Sequence, residues 1–390
     1  MPKQNNVSTP FWRDNRVIPI ILQILFVIFV LIIGVFFINN ALNGLARQGM
    51  EVGFGFLNGT ASFNITETLI DYQPTDTYKR ALLVGILNTI KVSVIGIILA
   101  TFIGVFVGIS RLSTNWLVQK LAGLYIEIFR NTPLLVQIFI WYFAVFLQLP
   151  QVKESITIGS FHLSNRGASI PWFEANSGTF VWTILLILGI VAAIVLWRTK
   201  LKSQVQSGKR KYPFVYALGS IIAALVIAYI ITQQGPANVT VPILGNFNFE
   251  GGHTLTPEFL AILIGLTVYT ATYIAEIVRA GILSVSKGQV EAAKALGVKG
   301  STTMRLVIFP QAIRIIIPPV TSQYLNLTKN SSLAIAVGYA DLVFVGNTTL
   351  NQAGHAVEMI LIMILVYLSL SILTSWFMNF FNKKTQIVER

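Results

Sequence analysis

Eight separate stretches of about twenty apolar residues divide this chain, and no other feature restricts its fold so severely. A helix of that length crosses roughly 30 Å of hydrocarbon. The runs lie near residues 17–38, 83–109, 121–147, 180–197, 213–232, 257–282, 306–327 and 357–381. Backbone N–H and C=O groups find no water inside a bilayer, so long apolar segments satisfy one another most simply as helices. A mean hydropathy of +0.70 with only 11% charged residues is far from the composition of a soluble domain. The sequence therefore predicts an all-α polytopic membrane protein of about eight transmembrane helices, all spanning.

The formal charge of +13 does not indicate a nucleic-acid partner, because the basic residues are scattered among short loops rather than gathered into one domain. Topology accounts for them. With a cytoplasmic N-terminus, the inside segments carry Lys3, Arg13, Arg16, Arg111, Lys120, Arg198, Lys200, Lys202, Lys209, Arg210, Lys211, Lys287, Lys294, Lys299, Arg305, Lys383, Lys384 and Arg390. The outside keeps Arg47, Lys79, Arg80, Lys153, Arg166 and Lys329. Lys91, Arg130, Arg279 and Arg314 fall within spans and do not vote. The excess of Lys and Arg inside is the positive-inside pattern, and it predicts a multi-pass protein of the plasma (inner) membrane with both termini cytoplasmic, in contact with membrane lipid. The chain has no cysteine, which removes disulfides and thiolate metal sites, and its three histidines form no ligand cluster, so no metal is expected. The first apolar run is too long for a signal-peptide core and reads as a retained helix.

The spans divide unevenly. Residues 1–82 hold the N-terminal helix and an external loop, and 83–147 the first part of a helical core. Residues 148–256 form an insertion with two helices joined by the basic loop Arg198 to Lys211, and 257–390 complete the core. Clusters such as Gln234-Gly235-Pro236-Ala237-Asn238 and Glu250-Gly251-Gly252 read as turns and loops flanking the inserted helices. Five helices thus make the core, with one N-terminal and two inserted helices added. Pro310, Pro318 and Pro319 interrupt the seventh span, so that helix is expected to be broken and to line a cavity or a protein interface, with a kinked packing helix as the equal alternative.

A polar break between two long apolar segments contains Glu291-Ala-Ala-Lys-Ala-Leu-Gly297. Such a segment makes a short helix closed by Gly297, which takes up the left-handed conformation that ends helices. Ala292 and Ala293 permit close approach to another surface, and Glu291 offers a charge. An amphipathic helix lying on anionic lipid is the competing reading, since Lys287, Lys294 and Lys299 stand nearby. Further stretches accompany this one. They are Glu127-Ile-Phe-Arg-Asn-Thr-Pro-Leu-Leu-Val-Gln137, Tyr273-Ile-Ala-Glu-Ile-Val-Arg-Ala-Gly-Ile282, Lys287-Gly-Gln-Val-Glu-Ala-Ala293, Pro310-Gln-Ala-Ile-Arg314 and Lys329-Asn-Ser-Ser-Leu-Ala334. Together they resemble the polar amino-acid branch of the ATP-binding-cassette importer permeases over the five-helix core. The N-terminal helix and the insertion resemble the larger general L-amino-acid permease subunits. One departure is Val307-Ile308-Phe309-Pro310, where the family pattern ends in Ile-x-Leu-Pro; apolar character is kept.

The resemblance implies a transport subunit that moves polar L-amino acids and is not itself an enzyme. It assigns Glu291, Ala292, Ala293 and Gly297 to a coupling loop seated in a cytoplasmic ATPase. It also implies a homologous permease subunit, paired as a heterodimer, and an external solute-binding protein that delivers the substrate. This chain is expected to bind no cofactor; ATP and Mg belong to the partner ATPase. In agreement, no Gly-x-x-x-x-Gly-Lys-Ser/Thr segment occurs.

Other polar groups within spans are weaker candidates. Gln323, Asn326 and Lys329 recur at i, i+3 and i+6, with Gln311 and Arg314 earlier on the same helix. Amides and cations suit a zwitterion, so these five residues form a candidate substrate path, or else a polar seam between helices. Glu127 and Arg130 have the spacing of an ion pair that anchors a helix end, and Glu276 and Arg279 repeat it near the Glu-Ala-Ala segment. Two rival functions remain at this point. An ion-coupled secondary transporter would use Glu276, Arg279 and Arg314 as coupling charges. A membrane-embedded enzyme acting on lipid-linked substrates would draw on Asp341, His355 and Glu358.

Overall fold

The structure, a computed structural model, describes residues 18–47 and 53–385. Lys3, Arg13, Arg16 and Arg390, which enter the charge argument for the termini, lie outside the described residues. Helix α1 (Ile18–Arg47) is followed by α2 (Tyr78–Ser110), α3 (Trp116–Asn131) and α4 (Leu134–Phe139). Four short strands come next: β1 (Ile156–Ile158), β2 (Phe161–Ser164), β3 (Gly167–Ile170) and β4 (Trp172–Glu174). Helices α5 (Thr179–Ser207) and α6 (Pro213–Thr232) form a hairpin, and β5 (Asn238–Thr240), β6 (Ile243–Leu244), β7 (Phe249–Glu250) and β8 (His253–Leu255) close the segment. The chain continues through α7 (Pro257–Leu283), α8 (Lys287–Ala295), α9 (Gly300–Thr303), α10 (Phe309–Asn330), α11 (Leu342–Ala353) and α12 (Ala356–Thr385).

Among the described residues seven helices are long and apolar enough to cross a membrane, or eight if a bent pair counts as one span. That bent pair is the third expected span. Its axis turns by 102° between α3 and the helical segment that runs from Leu134 to Gln148, because Pro133 has no N–H and holds Thr132 in extended backbone. The seventh span differs in another way. Helix α10 runs unbroken through Pro318 and Pro319, and the irregularity falls earlier, in a π-helical turn at Met304–Ile308. The wider i to i+5 spacing of that turn makes room for the Pro310 ring, which would otherwise meet the carbonyl four residues back.

The chain divides into two compact units, one of the described residues up to Thr89 with Ala340–Leu373, the other of Ile90–Tyr339 with the residues from Thr374. In the second unit α7 is central: 67% of its most apolar stretch is buried, against at most 33% for the other straight spans. Ile262, Leu266, Ala271 and Ile274 of α7 pack with Val92, Ile138, Leu327 and Tyr339. Two glycines permit this closeness. A Cβ at Gly108 of α2 would stand 2.6 Å from the carbonyl oxygen of Ala275, and one at Gly281 of α7 would stand 2.4 Å from the Ile316 side chain of α10. In the first unit Ala81, Val84, Leu342, Val345 and Met359 form a separate core. There Asn88 donates to the carbonyls of Glu67 and Ala340, at 2.8 and 2.9 Å.

The flanks of the inserted hairpin hold more order than turns and loops. All pairing is antiparallel: β1-β2-β3-β8 form one sheet, β4-β5 and β6-β7 two smaller ones. His162 of β2 stacks on Phe249 of β7, and Trp172 of β4 lies against His253 of β8, joining the three. The strands are two to four residues long, too short to display a period of two in the sequence. Below them α5 and α6 meet along small residues, with Gly189 against Ala224 and Ala193, Ala217 and Ala228 buried. This is the packing expected of helices in lipid.

Candidate functional site

The Glu-Ala-Ala segment is the C-terminal half of α8, and its termination follows from its sequence. Gly297 has φ +70°. Its N–H bonds the carbonyl of Lys294 at 2.9 Å, and the N–H of Val298 bonds that of Ala293 at 3.1 Å. This is the Schellman arrangement, which satisfies carbonyls that the helix end leaves open. A residue with a Cβ is disfavoured at that φ, and proline cannot adopt it.

The faces of α8 separate the roles of its residues. Ala293 is buried and seats the helix on its own chain, whereas Glu291 and Ala292 are exposed. Glu291 makes no ion pair among the described residues. Leu296, just ahead of the terminating glycine, is 82% exposed. Residue patterning had singled out Glu291, Ala292, Ala293 and Gly297; Leu296 was missed, although a large apolar residue beside a left-handed glycine is a readable signal. A rigid knob thus presents a carboxylate, a methyl and an uncovered isobutyl group together.

A side-chain bond ties the knob to α10. Gln311 at the start of α10 donates to Gln289 of α8 and to the carbonyl of Val307 at 2.9 Å. On α7, Arg279 donates to Glu276, with Nη2 to Oε2 at 2.9 Å, so this pair forms as its spacing predicted. The other predicted pair does not. Arg130 places its guanidinium 5.4 Å from the centre of the Tyr273 ring instead of on Glu127. Gln137, unassigned by sequence reasoning, is 3% exposed and donates to the carbonyls of Phe129 and Thr132, at 2.7 and 2.9 Å. It satisfies two carbonyls at the bend that Pro133 creates, which gives a physical role to the Asn-Thr-Pro-Leu-Leu-Val-Gln spacing.

The five polar residues of the expected path spread over about half the circumference of α10. Along α10, Val320 and Leu327 are buried and Tyr324 bonds Thr101 of α2 through its hydroxyl at 2.7 Å. Gln323, Asn326 and Lys329 stand successively about 60°, 120° and 180° around the helix from Val320, and their side chains have no hydrogen-bond or ion-pair partner among the described residues. At about 100° per residue, Arg314 stands roughly 180° around the helix from Gln323 but about 60° from Lys329, and Gln311 stands in line with Lys329. The Arg314 Nε is buried without a hydrogen-bond partner. Gln311 is engaged with α8, as described. The five residues therefore share one half of the circumference of α10, with Gln311 and Arg314 nearer its start and Gln323, Asn326 and Lys329 nearer its end.

Asp341, His355 and Glu358, the residues considered for an enzyme, carry structural bonds in the first unit. Asp341 caps α11 through the N–H of Phe344 at 2.9 Å and accepts from the Tyr367 hydroxyl at 3.3 Å. Burial pushes its carboxyl up to about 7. Glu358 accepts from the N–H of Gly53 at 2.7 Å and pairs with His355 at 3.2 Å. No cluster of metal-ligating side chains occurs among the described residues.

Comparison with known proteins gives a consistent picture. A family described as binding-protein-dependent transport system inner membrane component matches residues 95–387. The General L-amino acid transport system permease protein AapQ of Rhizobium johnstonii is 51% identical over 355 residues, covering 90% of this chain and 88% of its own. The Putative amino-acid ABC transporter permease protein YhdX of Escherichia coli is 45% identical over 377 residues, covering 94% of each chain. The Glutamate/glutamine/aspartate/asparagine transport system permease protein BztB of Rhodobacter capsulatus is 39% identical over 408 residues, covering 97% of this chain and 96% of its own.

Proposed function

The chain belongs to the family of binding-protein-dependent transport system inner membrane components, and on that premise we propose that it is the permease subunit of an ATP-driven importer of polar L-amino acids. It is a multi-pass inner-membrane transport subunit and not an enzyme. Family membership brings an ATPase and a solute-binding protein as partners; the pairing with a different, homologous permease subunit is part of the proposal. So is the orientation, with α8 and both termini on the cytoplasmic side.

The single observation that carries the reading is the knob at the end of α8. A soluble partner needs a rigid, exposed feature that the membrane helices hold in register. Glu291, Ala292 and Leu296 provide the surface, Ala293 the seat and Gly297 the stop. ATP with Mg on the partner supplies the driving hydrolysis. Contacts that differ between the nucleotide-bound and nucleotide-free ATPase would then favour different packings of the permease pair, as a two-state account of transport requires. Along α10, the amides of Gln323 and Asn326 offer donors and acceptors to an amino acid, and the Lys329 ammonium offers charge to its carboxylate. Gln311 and Arg314 complete the proposed path nearer the start of the same helix, Gln311 by tying the path helix to α8. The amino-acid relatives support this choice of substrate.

Co-purification tests the reading. The native chain retains its ATPase, whereas Glu291→Lys and Gly297→Pro lose it together with amino-acid uptake, while membrane insertion is unchanged. An ATPase that stays bound to both variants, or uptake that follows an ion gradient and needs no ATPase, contradicts it.

A further inference from the structure

At the start of α2 the first unit has a cleft of about 570 Å³ that the transport reading leaves unused. Leu57, Leu83, Ile86 and Ile362 line its walls, and Lys79 and Arg80 stand at one end. Its size lies within the range of sites that hold small ligands. The two ends differ in chemistry, and that difference selects the ligand.

The cations are not equivalent. Arg80 is immobilised, with Nε and Nη2 donating to the carbonyl of Asp71 at 2.8 and 2.5 Å and Nε 3.4 Å from the Asp76 carboxylate. Asp76 also accepts from the N–H of Gln73 at 2.8 Å, so its charge is already compensated. Lys79 is exposed and has no partner among the described residues. The cleft therefore ends in one uncommitted ammonium, beside a fixed guanidinium.

Position gives the second half of the argument. Helix α2 has 33 residues, about 50 Å at 1.5 Å per residue, some 20 Å more than the hydrocarbon core needs. That surplus lets its first turn, with the basic Lys79 and Arg80, stand at headgroup level. Leu83 and Ile86 follow within about 10 Å along the axis, where acyl chains begin. A ligand matching this gradient has an anionic head and an apolar tail.

We propose that the cleft at the start of α2 is a binding site for an anionic glycerophospholipid, its phosphate on Lys79 and one acyl chain against Leu57, Leu83, Ile86 and Ile362. The site is independent of the importer reading, since it needs only that α2 spans a membrane.

Native mass spectrometry of the assembled transporter tests this, with phosphatidylglycerol and phosphatidylethanolamine of identical chains as competing probes. The wild type retains phosphatidylglycerol preferentially. Lys79→Gln lowers that preference by about fivefold, the contribution of one basic residue at an anionic surface, and Leu83→Trp, which fills the cleft, lowers retention of both lipids. Lys153→Gln, at a residue that does not line the cleft, changes neither. Equal retention of the two lipids by the wild type overturns the proposal, as does a preference that survives Lys79→Gln. A third outcome also overturns it: the chain has no cysteine, and if cysteines introduced at Leu83 and at Leu31 of α1 cross-link equally with and without added lipid, α1 fills the cleft.

Discussion

Single residues decide where this chain's helices stop and bend. Gly297 ends α8 because its φ of +70° suits glycine, and Gln137 stabilises the bend after α3 by donating to two carbonyls there. Asp341 is the residue with the clearest pH signature. Burial raises its carboxyl to about 7 from the ordinary 3.8, so between roughly pH 4 and 7 the folded chain holds a proton that the unfolded chain has released. Stability from this group is full below about pH 4 and is lost as pH rises through about 7. Asp341→Asn keeps a capping acceptor and removes the titration. The gain in thermal stability of this variant over wild type should grow from pH 4 to about 7 and then level off; a difference independent of pH contradicts the assignment. The Gly297 stop was legible in the sequence because glycine's conformational freedom is a local property. The roles of Gln137 and Asp341 were not, since each depends on carbonyls, amides or burial that only tertiary packing creates.

At the scale of elements, apolar length was the readable quantity and geometry was not. Seven straight helices stand where runs of about twenty apolar residues occur. The sequence carries no measure of the 102° turn after α3, although Asn131-Thr132-Pro133 marks its place. Prolines misled in α10, where Pro318 and Pro319 sit within continuous helix and the π-helical turn precedes Pro310. The inserted hairpin depends on Gly189, where an added Cβ would lie 2.6 Å from that of Ala224. Overpacking of this kind costs about 1–3 kcal/mol. Gly189→Val should therefore speed hydrogen exchange in α5 and α6 and leave α7 unchanged. Unaltered exchange in the hairpin would show that its helices do not rely on this seam.

For the whole molecule, two ends of one helix organise the account. Helix α7 spans 27 residues, about 40 Å; β8 leads into its first turn and α8 follows its last. The sheets and the knob thus belong to opposite faces of the membrane. The basic loop between α5 and α6 lies at the far end of the hairpin from the sheets, a placement that supports a cytoplasmic knob through the positive-inside rule. The absence of native cysteine makes the central claim directly measurable. With Leu296→Cys in the assembled transporter, a thiol cross-linker should join the permease to the ATPase and respond to ATP, whereas Phe247→Cys, on the sheet side and 84% exposed, should join neither ATPase copy. Cross-linking of the ATPase from position 247 but not from 296 would place the partner on the wrong face and contradict the coupling role of α8.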